Sequence, residues 1–164
     1  MNREELLELL AQPEGERVER TRAFERADKI GQAVCAFAND LSGTGEPGYL
    51  LMGVENDGSI SGKRVDDRAM ASLGGLKTDG NLLPPPSMAI DKVELPEGDV
   101  VVVTVWPSRY PPIRYAGQVT LRSNSTNTRW AGSKSSIRAA SSAGHGPTTS
   151  LGSTTTAIRC WPKP

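Results

Sequence analysis

The stretch from Ala36 to Gly62 leaves this chain few ways to fold. It reads Ala-Phe-Ala-Asn-Asp, then a Gly-rich connection, then Tyr-Leu-Leu-Met-Gly-Val-Glu-Asn-Asp-Gly-Ser-Ile-Ser-Gly. Just ahead, Ile30, Ala33, Val34, Phe37 and Ala38 recur at i, i+3, i+4, i+7 and i+8, one face of a helix predicted over residues 24–39. Asn39, Asp40 and the Ser and Gly residues after them stop it. Tyr49 to Val54 is an unbroken apolar run, as in a strand covered on both faces. Asp57-Gly58 suits a hairpin turn with positive φ, and Ser59 to Gly62 would begin the return strand.

The remaining elements fit around this joint. Asn2 and Glu5 have the spacing of a capping box, and Leu6, Leu7, Leu9 and Leu10 give the first helix an apolar face that Pro13 and Gly15 end. Arg17 to Arg22 reads as a short edge strand with Val18 inward. Asp66 or Asp67 caps a weaker helix, undercut by Gly74-Gly75 at roughly 1 kcal/mol each. Pro84-Pro85-Pro86 forces an extended connection. Met88–Leu95 and the β-branched Val100–Trp106 read as strands around a Pro96–Asp99 turn. Arg114–Arg122 reads as one more. From Ser123 the periodicity stops, and Ser, Thr, Ala and Gly dominate. The pattern predicts an α+β domain over residues 1–122, with a mixed, mostly antiparallel sheet packed against helices. Residues 123–164 are expected to be a low-complexity, disordered tail.

Formal charge is zero, but all 19 acidic residues lie at or before Asp99, with 11 of the 19 Lys and Arg. The last 65 residues hold eight basic residues and no acid, a departure from the usual mixing of signs. Two cysteines, Cys35 and Cys160, have neither metal-ligand spacing nor a disulfide framework. No secretory segment and no apolar run of bilayer length is present, so a cytoplasmic location is expected. Gly43–Gly48 matches G-x-G-x-x-G, but a helix precedes it and a strand follows, the reverse of a dinucleotide site.

Residues from about Pro13 to Val119 resemble the Schlafen AlbA-like domain family, whose members are expected to bind DNA. The resemblance rests on Glu14 and Glu19, Ala36-Phe37-Ala38-Asn39, Gly53-Val54, Asn56-Asp57-Gly58 and Gly62. A bacterial branch also shares the features at Asp79-Gly80, Leu83-Pro84, Pro86-Ser87-Met88, Pro107-Ser108 and Pro111–Tyr115. Two features depart from the pattern. Glu19 is followed by Arg20-Thr21-Arg22 rather than an aromatic and a Lys. Val119–Ser123 lacks the usual aromatic, and the acid-free tail replaces a charged helix. A slip of reading frame near Val119 would produce that ending, and a truncated or aberrant C-terminal part is expected. Resequencing the gene decides it.

The resemblance implies nucleic-acid binding. Arg17, Arg20, Arg22, Lys63, Arg64, Arg114 and Arg122 are the candidate phosphate contacts, in a salt-dependent, weakly selective mode. Tyr110 and Tyr115 are candidates for base stacking. Ordinary solvated charge is the plain alternative for these cations. In some Schlafens two Glu and an Asp hold a divalent metal for RNA cleavage, which the resemblance places on Glu14, Glu19 and Asp57, with Mg²⁺ or Mn²⁺. Glu14 and Glu19 would face opposite sides of one regular strand, so convergence would need Glu14 to lie off it, which Gly15 permits. The expectation is no metal and no cofactor, Glu14 and Glu19 being solvated charges and Asp57 a turn residue. Phe37, Asn39, Gly53, Asp57, Gly58 and Gly62 are the structural motif. A non-catalytic interaction module is a third reading, and a homo-oligomer is compatible with all three.

Overall fold

The structure, a computed structural model, describes residues 1–130 apart from Arg26 and Asp79. Along the chain run α1 (Arg3–Ala11), β1 (Val18–Thr21), α2 (Ala27–Asn39), β2 (Gly48–Met52), α3 (Asp67–Gly75), β3 (Leu82–Leu83), β4 (Met88–Leu95), β5 (Gly98–Val105), β6 (Arg114–Tyr115), β7 (Thr120–Ser123) and β8 (Thr126–Arg129). The capping box at α1 forms: the Glu5 N–H donates to Asn2 Oδ1 and the Asn2 N–H to Glu5 Oε2, each at 2.8 Å. Asp66 caps α3 by accepting the Ala69 N–H at 2.7 Å.

Four strands form the main sheet in the order β1-β2-β5-β4, with β1 and β2 parallel and the other pairs antiparallel. β5 is buried along its whole length, as its continuous Val run requires. Its side chains alternate between two cores. On one face Ile30, Val34 and Phe37 of α2 meet Leu50, Met52, Val101, Val103 and Val105. On the other, Leu6 and Leu9 of α1 meet Val18, Leu51, Val54, Val100 and Val102. Burial of each such side chain stabilises the fold by about 1.5–3 kcal/mol. The expected α+β class, mixed and mostly antiparallel, is what the chain adopts.

The Ala-Phe-Ala-Asn motif is a packing device. A Cβ on Gly48 would lie 2.2 Å from the Phe37 ring, so the ring sits directly on the β2 backbone. Gly48→Ala is expected to destabilise by about 1–3 kcal/mol through overpacking. Urea denaturation should show a lower midpoint at unchanged slope. Asn39 ends α2 by reaching across the molecule. Its Nδ2 donates to Ile113 O and Thr120 O at 3.0 Å, and its Oδ1 accepts the Ile113 N–H at 2.7 Å.

Several boundaries differ from expectation. α2 begins at Ala27, not Phe24. β2 stops at Met52, because Gly53 takes φ +85°. The expected return strand over Ser59–Gly62 is reduced to one bridge between Val54 and Ile60. The single strand expected over 114–122 is two, split by a turn with positive φ at Ala116 and Gly117. Regular structure also continues past residue 122, since β7 and β8 form a hairpin through Asn124. That hairpin has little apolar alternation for a sequence pattern to reveal. Of the tail expected to be disordered over residues 123–164, residues 131–164 lie outside the described residues, as does Asp79 of the family pattern.

Candidate nucleic-acid interface

β1 divides its side chains between the two faces of the sheet. Val18 and Arg20 turn toward α1, and Glu19 turns toward β7 and β8. The Arg20 guanidinium donates to Leu10 O at 2.9 Å, to Asn56 O at 3.2 Å and to Gln12 O. It ties the end of α1 to the turn before Gly58. Arg17 donates to Glu46 O and to Pro47 O at 3.1 Å, and pairs with Asp40 and Glu46 at 3.9 and 3.8 Å. Both arginines close loops of their own chain.

Arg122 is the most committed of the expected cations. Its side chain is only 3% exposed. Nε donates to Gly15 O at 2.8 Å, Nη2 to Val18 O at 3.1 Å, and Nη1 to Glu19 Oε2 at 2.6 Å and Asn127 Oδ1 at 3.0 Å. The guanidinium lies 5.2 Å from the Phe37 ring centroid, a cation–π distance. A side chain so enclosed does not reach a phosphate. Sequence alone does not show which way a short polar strand turns its one arginine.

The exposed cations gather elsewhere. The Gly53 N–H donates to Thr21 O at 2.7 Å, the Ser61 N–H to Gly53 O at 2.8 Å, and the Asp99 N–H to Lys63 O at 2.8 Å. These bonds bring the segments carrying Arg22, Lys63 and Arg64 to one end of the sheet. Arg22 is 67% exposed and pairs loosely with Glu55 at 3.9 Å. Lys63 is exposed. Arg64 is anchored at Asp99 Oδ1 (2.7 Å), Leu95 O (2.9 Å) and Pro96 O (3.1 Å), yet stays largely open to solvent. Arg114 is exposed on the separate β3–β6 ribbon. The seven cations do not form one groove.

Asp99, absent from the sequence-derived candidates, organises this end. It is buried, which pushes its carboxyl up, but the Val65 N–H, Arg64 and Lys92 outweigh burial and hold it below the usual aspartate range. The folded state therefore favours the charged form. Its stabilisation is complete above the ordinary aspartate value of about 4 and is lost as pH falls through the lower folded-state value. Asp99→Asn should flatten the acid limb of stability against pH, measured by urea denaturation between about pH 5 and pH 2.

Glu14 and Glu19 lie near enough that burial is joined by the Glu14 charge in pushing the Glu19 carboxyl up, and both act on Arg122, but Asp57 stands apart from them. Glu14 Oε1 accepts the Arg20 N–H at 2.8 Å. Glu19 Oε2 is shared by Arg122 and by Asn127 Nδ2 at 2.7 Å. Burial pushes the Glu19 carboxyl up, against the pull of Arg122 and Asn127. Asp57 accepts from the Ser59 N–H at 2.9 Å and its Oγ at 2.6 Å, which hold its carboxyl low. It sits in its own turn beside Arg20, on the face away from Glu19. Gly58 and Gly62 take φ +91° and +74° around it. Among the described residues no three Asp, Glu, His or Cys are grouped to hold a metal ion. A divalent metal on Glu14, Glu19 and Asp57 does not fit, because a guanidinium already occupies the Glu19 carboxylate.

Fold and surface together define a small α+β domain with exposed Arg22, Lys63 and Arg64 at one end of its main sheet. The chain belongs to the Schlafen, AlbA_2 family, whose profile matches residues 14–131. The match continues past Val119 to residue 131. No curated protein matches the sequence significantly. Among solved structures, the N-terminal domain of a protein from Nitrosomonas europaea, named for its relation to the ATP-dependent DNA helicase RecG, is similar. It shows 25% identity and a TM-score of 0.52 over 67% of this chain and 76% of that one. The DIP2311 protein of Corynebacterium diphtheriae shares the fold at 19% identity and a TM-score of 0.52, over 78% of this chain and 27% of that protein. Among the described residues, no helix is long and apolar enough to cross a membrane.

Proposed function

We propose that this domain is a nucleic-acid-binding module that engages phosphates through Arg22, Lys63 and Arg64. Family membership and the helicase-related name of the Nitrosomonas neighbour support the class of partner. The observation that supports the mode is that main-chain bonds at Gly53 and Asp99 draw the segments carrying these three cations to one end of the sheet. Arg64 is held in place by three acceptors, so little side-chain entropy is lost when it meets a phosphate. Arg22, only loosely paired with Glu55, and the exposed Lys63 would follow the backbone. Arg17, Arg20 and Arg122 shape the domain and do not contact the ligand.

Fluorescence anisotropy with labelled single- and double-stranded oligonucleotides tests this. Arg22→Ala with Lys63→Ala should weaken binding about tenfold at low salt. It should also reduce the slope of log K against log salt by about two, one for each lost phosphate contact. An unchanged affinity and slope in the double variant would refute the assignment.

A further inference from the structure

The two outer edges of the sheet are built differently. β1's edge is closed: Glu14 takes the Arg20 N–H, and Val18 O is bonded by the Gly15 N–H and by Arg122, both at 3.1 Å. β4, at the other edge, is eight residues long. The Trp106 N–H donates to Ser87 O at 2.9 Å, which fixes Ser87, Ala89, Asp91 and Val93 as the residues bonded to β5. The N–H and C=O groups of Met88, Ile90, Lys92 and Glu94 therefore point outward. None of them has a backbone partner among the described residues. An open edge of this length is a template for another strand.

Beside that edge the sheet face is only half covered, because α1 lies over Leu51, Val100 and Val102. The next row, Tyr49–Thr104–Ala89, floors a groove of about 420 Å³. Trp106, 42% exposed, lines it with Glu5, Glu8 and Asp91. Among the described residues no Lys or Arg lines it, and the cation there is the Met1 amine, 3.2 Å from Asp91. The row ends at the edge on Ala89, whose small side chain leaves the mouth of the groove open. A long side chain from a neighbouring strand, placed opposite Ala89, would cross it. Its methylenes would meet Trp106 and Tyr49, and its head Glu8, with Glu5 and Asp91 adding negative charge beside it.

We propose that β4 accepts an extended segment of a partner protein as a fifth strand, and that this segment carries Lys or Arg at alternate positions. Main-chain bonds to Ile90 and Lys92 would supply affinity, and the acidic groove would select the basic side chains. A second copy of this chain fits less well. Antiparallel self-pairing centred on Asp91 or Lys92 sets like charges directly opposite, which is destabilising. The acidic groove lies at the opposite end of the sheet from Arg22 and Lys63.

The test uses the full chain and a synthetic capped peptide of alternating valine and lysine, with a valine–glutamate peptide as control. Amide hydrogen exchange read by NMR should slow at least about tenfold at Ile90 and Lys92 on adding the lysine peptide. Ala89 and Asp91, already bonded to β5, should change little. Asp91→Lys should weaken the lysine peptide about fivefold, a cross-strand charge effect, and improve binding of the glutamate peptide. Unchanged exchange at Ile90 and Lys92, or equal binding of both peptides to the wild-type chain, would overturn the proposal. Concentration-dependent protection without peptide would also overturn it, by assigning the edge to a second copy.

Discussion

Replacing Arg122 with methionine should destabilise the domain by about 3–5 kcal/mol, the range for removing one partner of a buried ion pair. The guanidinium is almost wholly enclosed and satisfies four acceptors, Gly15 O, Val18 O, Glu19 Oε2 and Asn127 Oδ1. Methionine keeps much of the volume over Phe37 but returns none of those bonds. Glu19 would be left with Asn127 alone in a site where burial already pushes its carboxyl up. The loss should depend on pH in a defined sense. A carboxyl whose folded-state value is raised above its unfolded value stabilises the folded protein in the protonated form, and that contribution disappears as pH rises through the raised value. The Arg122→Met variant should therefore recover stability on acidification and be weakest at neutral pH. Arg122→Met with Glu19→Gln should recover a substantial part of the loss, because no unpaired charge is left behind. Urea denaturation of the two single variants and the double across pH measures the coupling. A loss below about 1 kcal/mol in Arg122→Met, characteristic of an exposed ion pair, would contradict the burial of this side chain.

Gly53→Ala should cost about 3 kcal/mol or more. A Cβ there would stand 2.5 Å from Asp99 O and 2.7 Å from the Phe24 ring, on a backbone with φ +85°. The carbonyl belongs to the β5 backbone and does not yield as a flexible side chain would. Left-handed backbone adds about 1–2 kcal/mol for a residue with a Cβ, and forced packing typically adds about 1–3. In a domain of this size the melting temperature should fall by roughly 10 °C. The change also strikes the cationic end of the sheet, since Asp99 is displaced and with it the anchor of Arg64. Thermal unfolding followed by circular dichroism gives the first number. Retention of the wild-type melting temperature would show that Gly53 does not make this approach.

The elements visible in the sequence were those with a strong period or an unbroken apolar run. α2, β4 and β5 stand close to where Ile30–Ala38, Met88–Leu95 and the Val100–Trp106 run place them. What the sequence concealed is held by polar anchors. The Leu82–Leu83 and Arg114–Tyr115 ribbon has two residues per strand and no period to detect. The β7–β8 hairpin is held to the domain by Arg122 and Asn127, which sequence spacing does not distinguish from surface residues. The candidate site was legible at Gly53, Asp57 and Gly58, where turn chemistry is local. It was not legible at Arg17, Arg20 and Arg122, whose acceptors are main-chain carbonyls far along the chain. Asp99 reads in sequence as the end of a solvated Pro-Glu-Gly-Asp turn, yet it lies in β5 and is the buried acid that joins Arg64, Val65 and Lys92.

Binding through cations, without cleavage by carboxylates, is most directly tested in one set of samples. Labelled structured RNA and duplex DNA are incubated with the full chain in Mn²⁺ across a range of salt. Each sample is read twice, by anisotropy for binding and on a denaturing gel for strand length. Saturable binding that weakens with salt, with every strand recovered intact, is the predicted result. Shortened strands that no longer appear with Glu19→Gln would contradict it, and would show that Arg122 yields its carboxylate to a metal.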